Sequence, residues 1–261
     1  MQICGNVQIP LRYEFPLTER ARLLLRLEDS LQRVREQALD SSPDAHRSSL
    51  VALCELVELA SRIDLKAEVR MELERQRSLL RALRGVAEVD AEALAVSLAE
   101  LDSSLSRVDA TLPRAGARCR DDAWLSMFRT RLAVPGGATR FDLPSFHYWS
   151  SREPTARREW LLRWLGDFDC VRNGVAMALH LLRGSASSES QLAAAGSYTR
   201  SLGNRVPMLA AIDTSPDCDC IPEITVNRAL LTVRFNRFSD GGRPRPCNTD
   251  IAFGLAVCFQ A

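Results

Sequence analysis

The sequence predicts an α+β protein: an α-helical, bundle-like domain followed by a small antiparallel β-domain. Three observations carry this. Apolar residues recur at helical spacing through the first 184 residues. The stretch RGSASSES, residues 183–190, ends that periodicity. Beyond it come four short β-like runs, PMLAAID, IPEITV, ALLTVRF and IAFGLAVCF, separated by Pro, Asp, Asn and Gly. No helix-length segment separates these runs, so their sheet should be antiparallel. The expected division is residues 1–186, carrying the dimerisation surface, and residues 187–261, carrying a basic strand for partner binding.

The first helix should begin after Pro16, with Thr18 as its cap and Leu23, Leu27, Leu31, Val34 and Ala38 as its stripe. SSPDAHRSSL interrupts the pattern. A second helix follows, with Leu50, Leu53, Leu56, Val57 and Ala60 on one side. Asp64 is placed to cap the third helix, whose stripe is Leu65, Val69, Leu73, Leu80 and Leu83, and Gly85 to end it. Asp90 is placed to cap the fourth. There Leu94, Leu98, Leu101, Leu105, Val108 and Leu112 form a heptad seam, suited to packing inside a bundle or to a dimer contact. CRDDAWLSMFRTRLA reads as a fifth helix, and two more should span about 155–165 and 168–183. In RALLTVRF, strand alternation puts Arg228, Leu230, Thr232 and Arg234 on one face and Ala229, Leu231, Val233 and Phe235 on the core face. SDGGRPRP, between the last two runs, reads as a long hairpin loop.

Composition excludes several function classes. The formal net charge is +1, so there is no global field favouring nucleic acid or membrane. Lys66 is the only lysine, and the basic character is otherwise arginine. The N-terminus lacks the pattern of a secretion signal, and no 18-residue apolar run suggests a membrane span. A cytoplasmic chain is the expectation. Of the eight cysteines, Cys218 and Cys220 form C-x-C, not the C-x-x-C of a zinc knuckle, and no metal or other cofactor is expected.

VPGGATRFDLPSFHYW, residues 134–149, raises the question of catalysis. His147 with Asp142 offers a hydrolase or transferase reading, but no nucleophile elbow or phosphate-binding motif accompanies them. The simpler reading is a helix stop, a turn and a hydrophobic anchor, with His147 packed among Phe146, Tyr148 and Trp149. The C-terminal basic residues are more informative. Arg228, Arg234, Arg237, Arg243 and Arg245 face a single acid, Asp240, between 226 and 246. An arginine-bearing sheet face suits an acidic peptide or a nucleic-acid backbone. No stacking aromatics interleave these arginines, which argues against single-stranded nucleic acid.

Taken in order, YEFPLTERARLLLRLE, AEVRMELERQ, RLAVPGGATRFDLPSFHYW and the strand VRF resemble the ZapD family of bacterial cell-division proteins. The resemblance implies no catalysis. It implies a homodimer with a helical centre and β-rich ends that binds the C-terminal peptide of FtsZ, cross-links FtsZ protofilaments into bundles and promotes Z-ring assembly at mid-cell. It implies no nucleic-acid or membrane partner. The family's basic positions fall on Arg62 and Lys66, in SRIDLK, and on Arg234, with Arg228 at a lysine-like position. A further family arginine, four residues before Arg234, is Leu230 here, with Arg228 and Arg237 as the candidates to compensate. DCDC lies outside the family pattern.

Overall fold

The computed structural model describes residues 10–110, 114–227, 229–237 and 243–260. The chain divides into two compact units. One is Leu24–Leu179; the other combines Met1–Leu23 with His180–Ala261.

Helices α1 (Glu19–Leu39), α2 (Pro43–Arg62), α3 (Leu65–Ala82), α4 (Ala91–Asp109), α5 (Ala117–Asp121), α6 (Ala123–Leu132), α7 (Pro144–Ser150), α8 (Pro154–Leu165) and α9 (Asp169–Gly184) account for the helical periodicity. Their starts follow from side-chain capping of the orphan N–H groups. The Thr18 hydroxyl accepts from Ala21 N, Asp64 from Ala67 N, and Asp90 from Glu92 N and Ala93 N. In SSPDAHRSSL the break is itself a start, because Ser42 caps α2 and Pro43 occupies its first position. The expected fifth helix is two. Asp122 leaves the helical backbone (φ −71, ψ 113), ends α5 and caps α6 through Leu125 N.

The leucine seam of α4 is an internal contact. Leu94, Leu98, Leu101, Leu105 and Val108 are buried, α4 packs on α3, and Arg77 and Arg70 of α3 pair with Asp102 and Asp109 of α4. Leu112 lies outside the described residues. Helix α9 closes on the same layer: a Cβ at Gly174 would collide with Val69 and touch Val108 and Leu73.

The 134–149 stretch is an anchor, as the turn chemistry suggests. Gly136 has φ +72, and α7 then delivers Phe146 and Trp149 to a buried aromatic cluster. Trp124 lies 5.8 Å from the Phe128 and Trp149 rings and 5.5 Å from Trp164, while Phe146 is 5.2 Å from Phe128. His147 differs from the packed side chain expected: it is exposed, as is Tyr148. Helical periodicity explains this, since 146 and 149 share a face that 147 and 148 do not. His147→Ala should therefore change stability by no more than about 0.5 kcal/mol, which thermal unfolding would show.

A buried polar knot joins α1, α2 and α8. Arg157, 4% exposed, donates to the Ser41, Ser150 and Arg152 carbonyls and to Nδ1 of His46. Nε2 of His46 then carries the proton and donates to the Ala38 carbonyl. Burial, aided by the positive charges of Arg157 and Arg158, holds the His46 pKa below the ordinary value of 6.5, against the opposing pull of the Ala38 and Asp40 carbonyls. The unfolded chain thus protonates His46 before the folded one does. That penalty is absent well above 6.5 and grows as pH falls through it. The melting temperature should drop between about pH 7.5 and about pH 5.5, and more steeply than in a His46→Gln variant.

The other unit is a two-sheet sandwich. Strand β1 (Leu11–Pro16) pairs with β4 (Val206–Thr214), β4 with β8 (Ile251–Gln260), and β8 with β2 (Glu189–Ala193), all antiparallel. The second sheet has β6 (Leu230–Arg237) between β3 (Ser197–Ser201) and β5 (Cys220–Asn227), with β7 (Arg245–Pro246) beyond the β3 pairing. Inward side chains of both sheets share one core: Ala210, Ile212, Phe253, Leu255 and Val257 against Leu231, Val233 and Phe235. Phe253 makes edge contacts with Phe235 (5.3 Å) and Tyr198 (5.5 Å). The outer face of the first sheet is buried too, at Leu209, Ala211, Ala256 and Cys258. There Arg183 grips Glu14 of β1 with two hydrogen bonds of 2.8 and 2.7 Å.

Two expectations need correction. The run ALLTVRF does not form a hairpin with IAFGLAVCF. The two strands belong to different sheets, and Arg245–Pro246 pair back on β6 as β7; residues 239–242 of the expected loop lie outside the described residues. Strands β1, β2, β3 and β7 are additional to the runs expected.

Candidate partner-binding face

In β6 the alternation holds. Leu231, Val233 and Phe235 are buried, while Leu230 and Arg234 are exposed and Thr232 is half-buried. The outward face is ordered by cross-strand register. Ser197, Arg234 and Glu223 lie side by side across β3, β6 and β5; so do Thr199, Thr232 and Thr225, and Ser201, Leu230 and Asn227. The face is thus a row of hydroxyls with one cation and one carboxylate at one end and an apolar side chain, Leu230, 49% exposed, at the other. β-Branched residues in cross-strand register stiffen such a surface. The Thr199 and Thr232 hydroxyls lie 3.5 Å apart.

The predicted cations differ in what already holds them. Among the described residues the Arg234 guanidinium has no hydrogen-bond or ion-pair partner. Arg237 is held by Asp219, with Nε 2.8 Å from Oδ2 and a second contact of 3.3 Å to Oδ1. The hydrogen bond and charge of Asp219 raise the Arg237 pKa, and Asp219 is lowered in turn, chiefly by hydrogen bonding from Cys220 and then from Arg237. Arg228 lies outside the described residues.

Arg62 and Lys66 belong to the helical unit, at the α2–α3 corner. Arg62 donates to Glu58 through Nε and Nη2, at 3.0 and 2.8 Å. Arg129 reaches the other oxygen of Glu58 at 3.3 Å. The two guanidinium groups, Arg62 first, hold the Glu58 carboxyl below its ordinary pKa. Lys66 donates to the Asp109 carbonyl at 3.5 Å, and Arg70 pairs with the Asp109 carboxylate. This corner is a mixed-charge surface in which each basic group already has an internal acceptor. Such exposed pairs contribute little to stability and exchange readily for an external carboxylate.

Of the acids that face these cations, only some are local to them in sequence. Glu58 was visible as the i,i+4 partner of Arg62, but Asp219 and Glu223 are brought to Arg237 and Arg234 only by strand pairing. Asp142, the other half of the His147 reading, accepts from the Thr139 hydroxyl at 2.8 Å in a local turn. Among the described residues no cluster of three or more His, Cys, Asp or Glu could hold a metal. No described helix is long and apolar enough to cross a membrane.

Comparison with known proteins gives a consistent result. The family model for ZapD, a cell division protein, matches residues 25–234, a span that includes Arg62, Lys66 and Arg234. The cell division protein ZapD of Aromatoleum aromaticum is 38% identical over 253 residues, covering 97% of this chain and 99% of that protein. ZapD of an Azoarcus species is 37% identical over 246 residues, and that of Ralstonia pickettii 37% over 247, each covering 94% of this chain and 98% of the relative.

Proposed function

Since the chain belongs to the ZapD family of cell division proteins, we propose that it acts at the mid-cell division site as a non-enzymatic, homodimeric cross-linker that binds the C-terminal tail of FtsZ and bundles its protofilaments. The observation that carries the docking step is Arg234. It is an exposed guanidinium with no internal partner among the described residues, on a sheet face beside hydroxyls that can donate to a peptide and an apolar side chain, Leu230, that can meet one. An acidic tail would supply the missing carboxylate. Arg237 would join by exchanging Asp219 for a carboxylate of the tail, and Arg62 and Lys66, taken by themselves on the helical unit, are proposed as tail-binding residues that would exchange their internal acceptors in the same way. Arg228 completes the proposed set. Cross-linking needs at least two such sites per particle, which a two-fold dimer provides.

Pelleting tests this reading. The protein should increase the amount of polymerised FtsZ sedimented at low speed, less so as salt rises, and not at all when FtsZ lacks its C-terminal tail. Bundling of tail-less FtsZ, or bundling indifferent to salt, would exclude it.

A further inference from the structure

The β-sandwich contains a feature that partner binding does not use. The thiols of Cys220 and Cys247 lie 3.0 Å apart, both buried. Each is fixed by backbone. Cys220 opens β5 and stands in register with Arg237 of β6. Cys247 donates its N–H to the Phe235 carbonyl, 2.9 Å away. Its carbonyl lies against Gly196, where a Cβ would collide with it. Gly196 has φ +74 and its own carbonyl accepts from Phe235 N, so this turn clamps Cys247 from the other side. The separation of 3.0 Å is only about 1 Å more than a disulfide bond. The positions are 27 residues apart, so nothing local in sequence forces them together.

We propose that Cys220 and Cys247 form a reversible dithiol–disulfide site oxidised by a small peroxide, a modification site within the sandwich. Cys247 is the attacking thiol. Its sulfur lies 3.0 Å from that of Cys220, whose one S–H it shares with Asp219 Oδ1 at 3.4 Å, and 3.2 Å from the Thr249 hydroxyl. These hydrogen bonds lower its pKa, with the Arg237 charge assisting, while burial pushes Cys220 up. The Cys247 thiolate attacks one peroxide oxygen, and the O–O bond breaks. The departing hydroxide takes a proton and leaves as water, so Cys247 becomes a sulfenic acid. The Cys220 sulfur then attacks the Cys247 sulfur. The S–O bond breaks, and the hydroxyl leaves as a second water with the Cys220 proton. Two electrons pass from two thiols to the peroxide, and a dithiol reductant returns them.

The cross-link would tie the first residue of β5 to the segment after β7 and so enclose β5, β6 and β7 in one covalent loop. Constraining the unfolded chain in this way stabilises the folded one. Cys218, half-buried, turns its sulfur to the Cys220 carbonyl at 3.5 Å and is not in the pair. The site stands on its own and does not depend on FtsZ binding.

The test exposes the native protein to hydrogen peroxide, alkylates it after denaturation and maps the peptides by mass spectrometry. A link between Cys220 and Cys247 should appear, persist in a Cys218→Ser variant and vanish on reduction with dithiothreitol. The oxidised protein should melt roughly 5 °C or more above the reduced one. In Cys220→Ser, peroxide should leave Cys247 as a sulfenic acid that a dimedone probe captures. Full alkylation of both cysteines after peroxide treatment, or a link that runs through Cys218 instead, would overturn the proposal.

Discussion

Replacing Arg234 by Glu should weaken binding of the FtsZ tail peptide at least about tenfold, with no loss of folded protein. The side chain lies on the outward face of β6, away from the core shared by Leu231, Val233 and Phe235, and among the described residues it has no internal partner. Its removal therefore orphans no buried group. Reversal also places a second carboxylate beside Glu223, its cross-strand neighbour, so an acidic peptide would meet repulsion where it now meets attraction. Arg237→Glu should have a smaller effect, because its guanidinium already faces Asp219. Fluorescence anisotropy with a labelled tail peptide would rank the two. Equal losses, or the reverse order, would mean that strand pairing does not select the docking cation. Wild-type affinity should fall as ionic strength rises from about 50 to about 300 mM, since the Debye length shrinks across that range.

Arg157→Leu should cost about 3–5 kcal/mol of stability. Unlike Arg234, Arg157 is buried, and all of its hydrogen bonding is internal. Truncating it leaves the Ser41, Ser150 and Arg152 carbonyls and Nδ1 of His46 without the donor that now serves all four. The loop between α1 and α2, the start of α8 and the end of α7 would lose their common tie. Arg157→Lys should recover part of the loss, because an ammonium carries three donors but cannot span the same fork. Denaturant unfolding followed by tryptophan fluorescence is the suitable readout, since Trp149 lies 6.4 Å from the His46 ring. A loss below about 1 kcal/mol would show that water replaces the guanidinium at little cost.

The contrast between these two arginines marks what can be read from residues alone. Helix starts were legible at Thr18, Asp64 and Asp90, because a capping oxygen acts on N–H groups two or three residues away. The core face of β6 was legible for the same local reason: alternation assigns it. What failed was non-local. Nothing in CRDDAWLSMFRTRLA separates Asp121 from Asp122, yet it is Asp122 that Trp164, 42 positions on, reaches with its indole N–H at 3.0 Å. β2 and β3, ESQLA and SYTRS, are too polar to stand out, and they become strands because apolar neighbours offer them a ladder. β4 is buried on both faces, so it lacks the alternation that would have placed it centrally. The division into two sheets, which separates β6 from β8, is likewise a choice of distant partners.

The candidate site divides along the same line. The one-faced arginine strand could be read from spacing, and Glu58 precedes Arg62 by one helical turn. Asp219 comes to Arg237, Glu223 to Arg234 and Cys247 to Cys220 only through the pairing of β5, β6 and β7. These are the contacts that distinguish an available cation from an occupied one.

The central claim is that the FtsZ tail docks on the outward face of the β3–β6–β5 sheet around Arg234. Hydrogen–deuterium exchange with and without saturating tail peptide tests it most directly. The docking face predicts slower exchange in the segments 197–201, 220–227 and 230–237, lost in the Arg234→Glu protein. Protection confined to other segments, or protection of this sheet that survives the charge reversal, would contradict it.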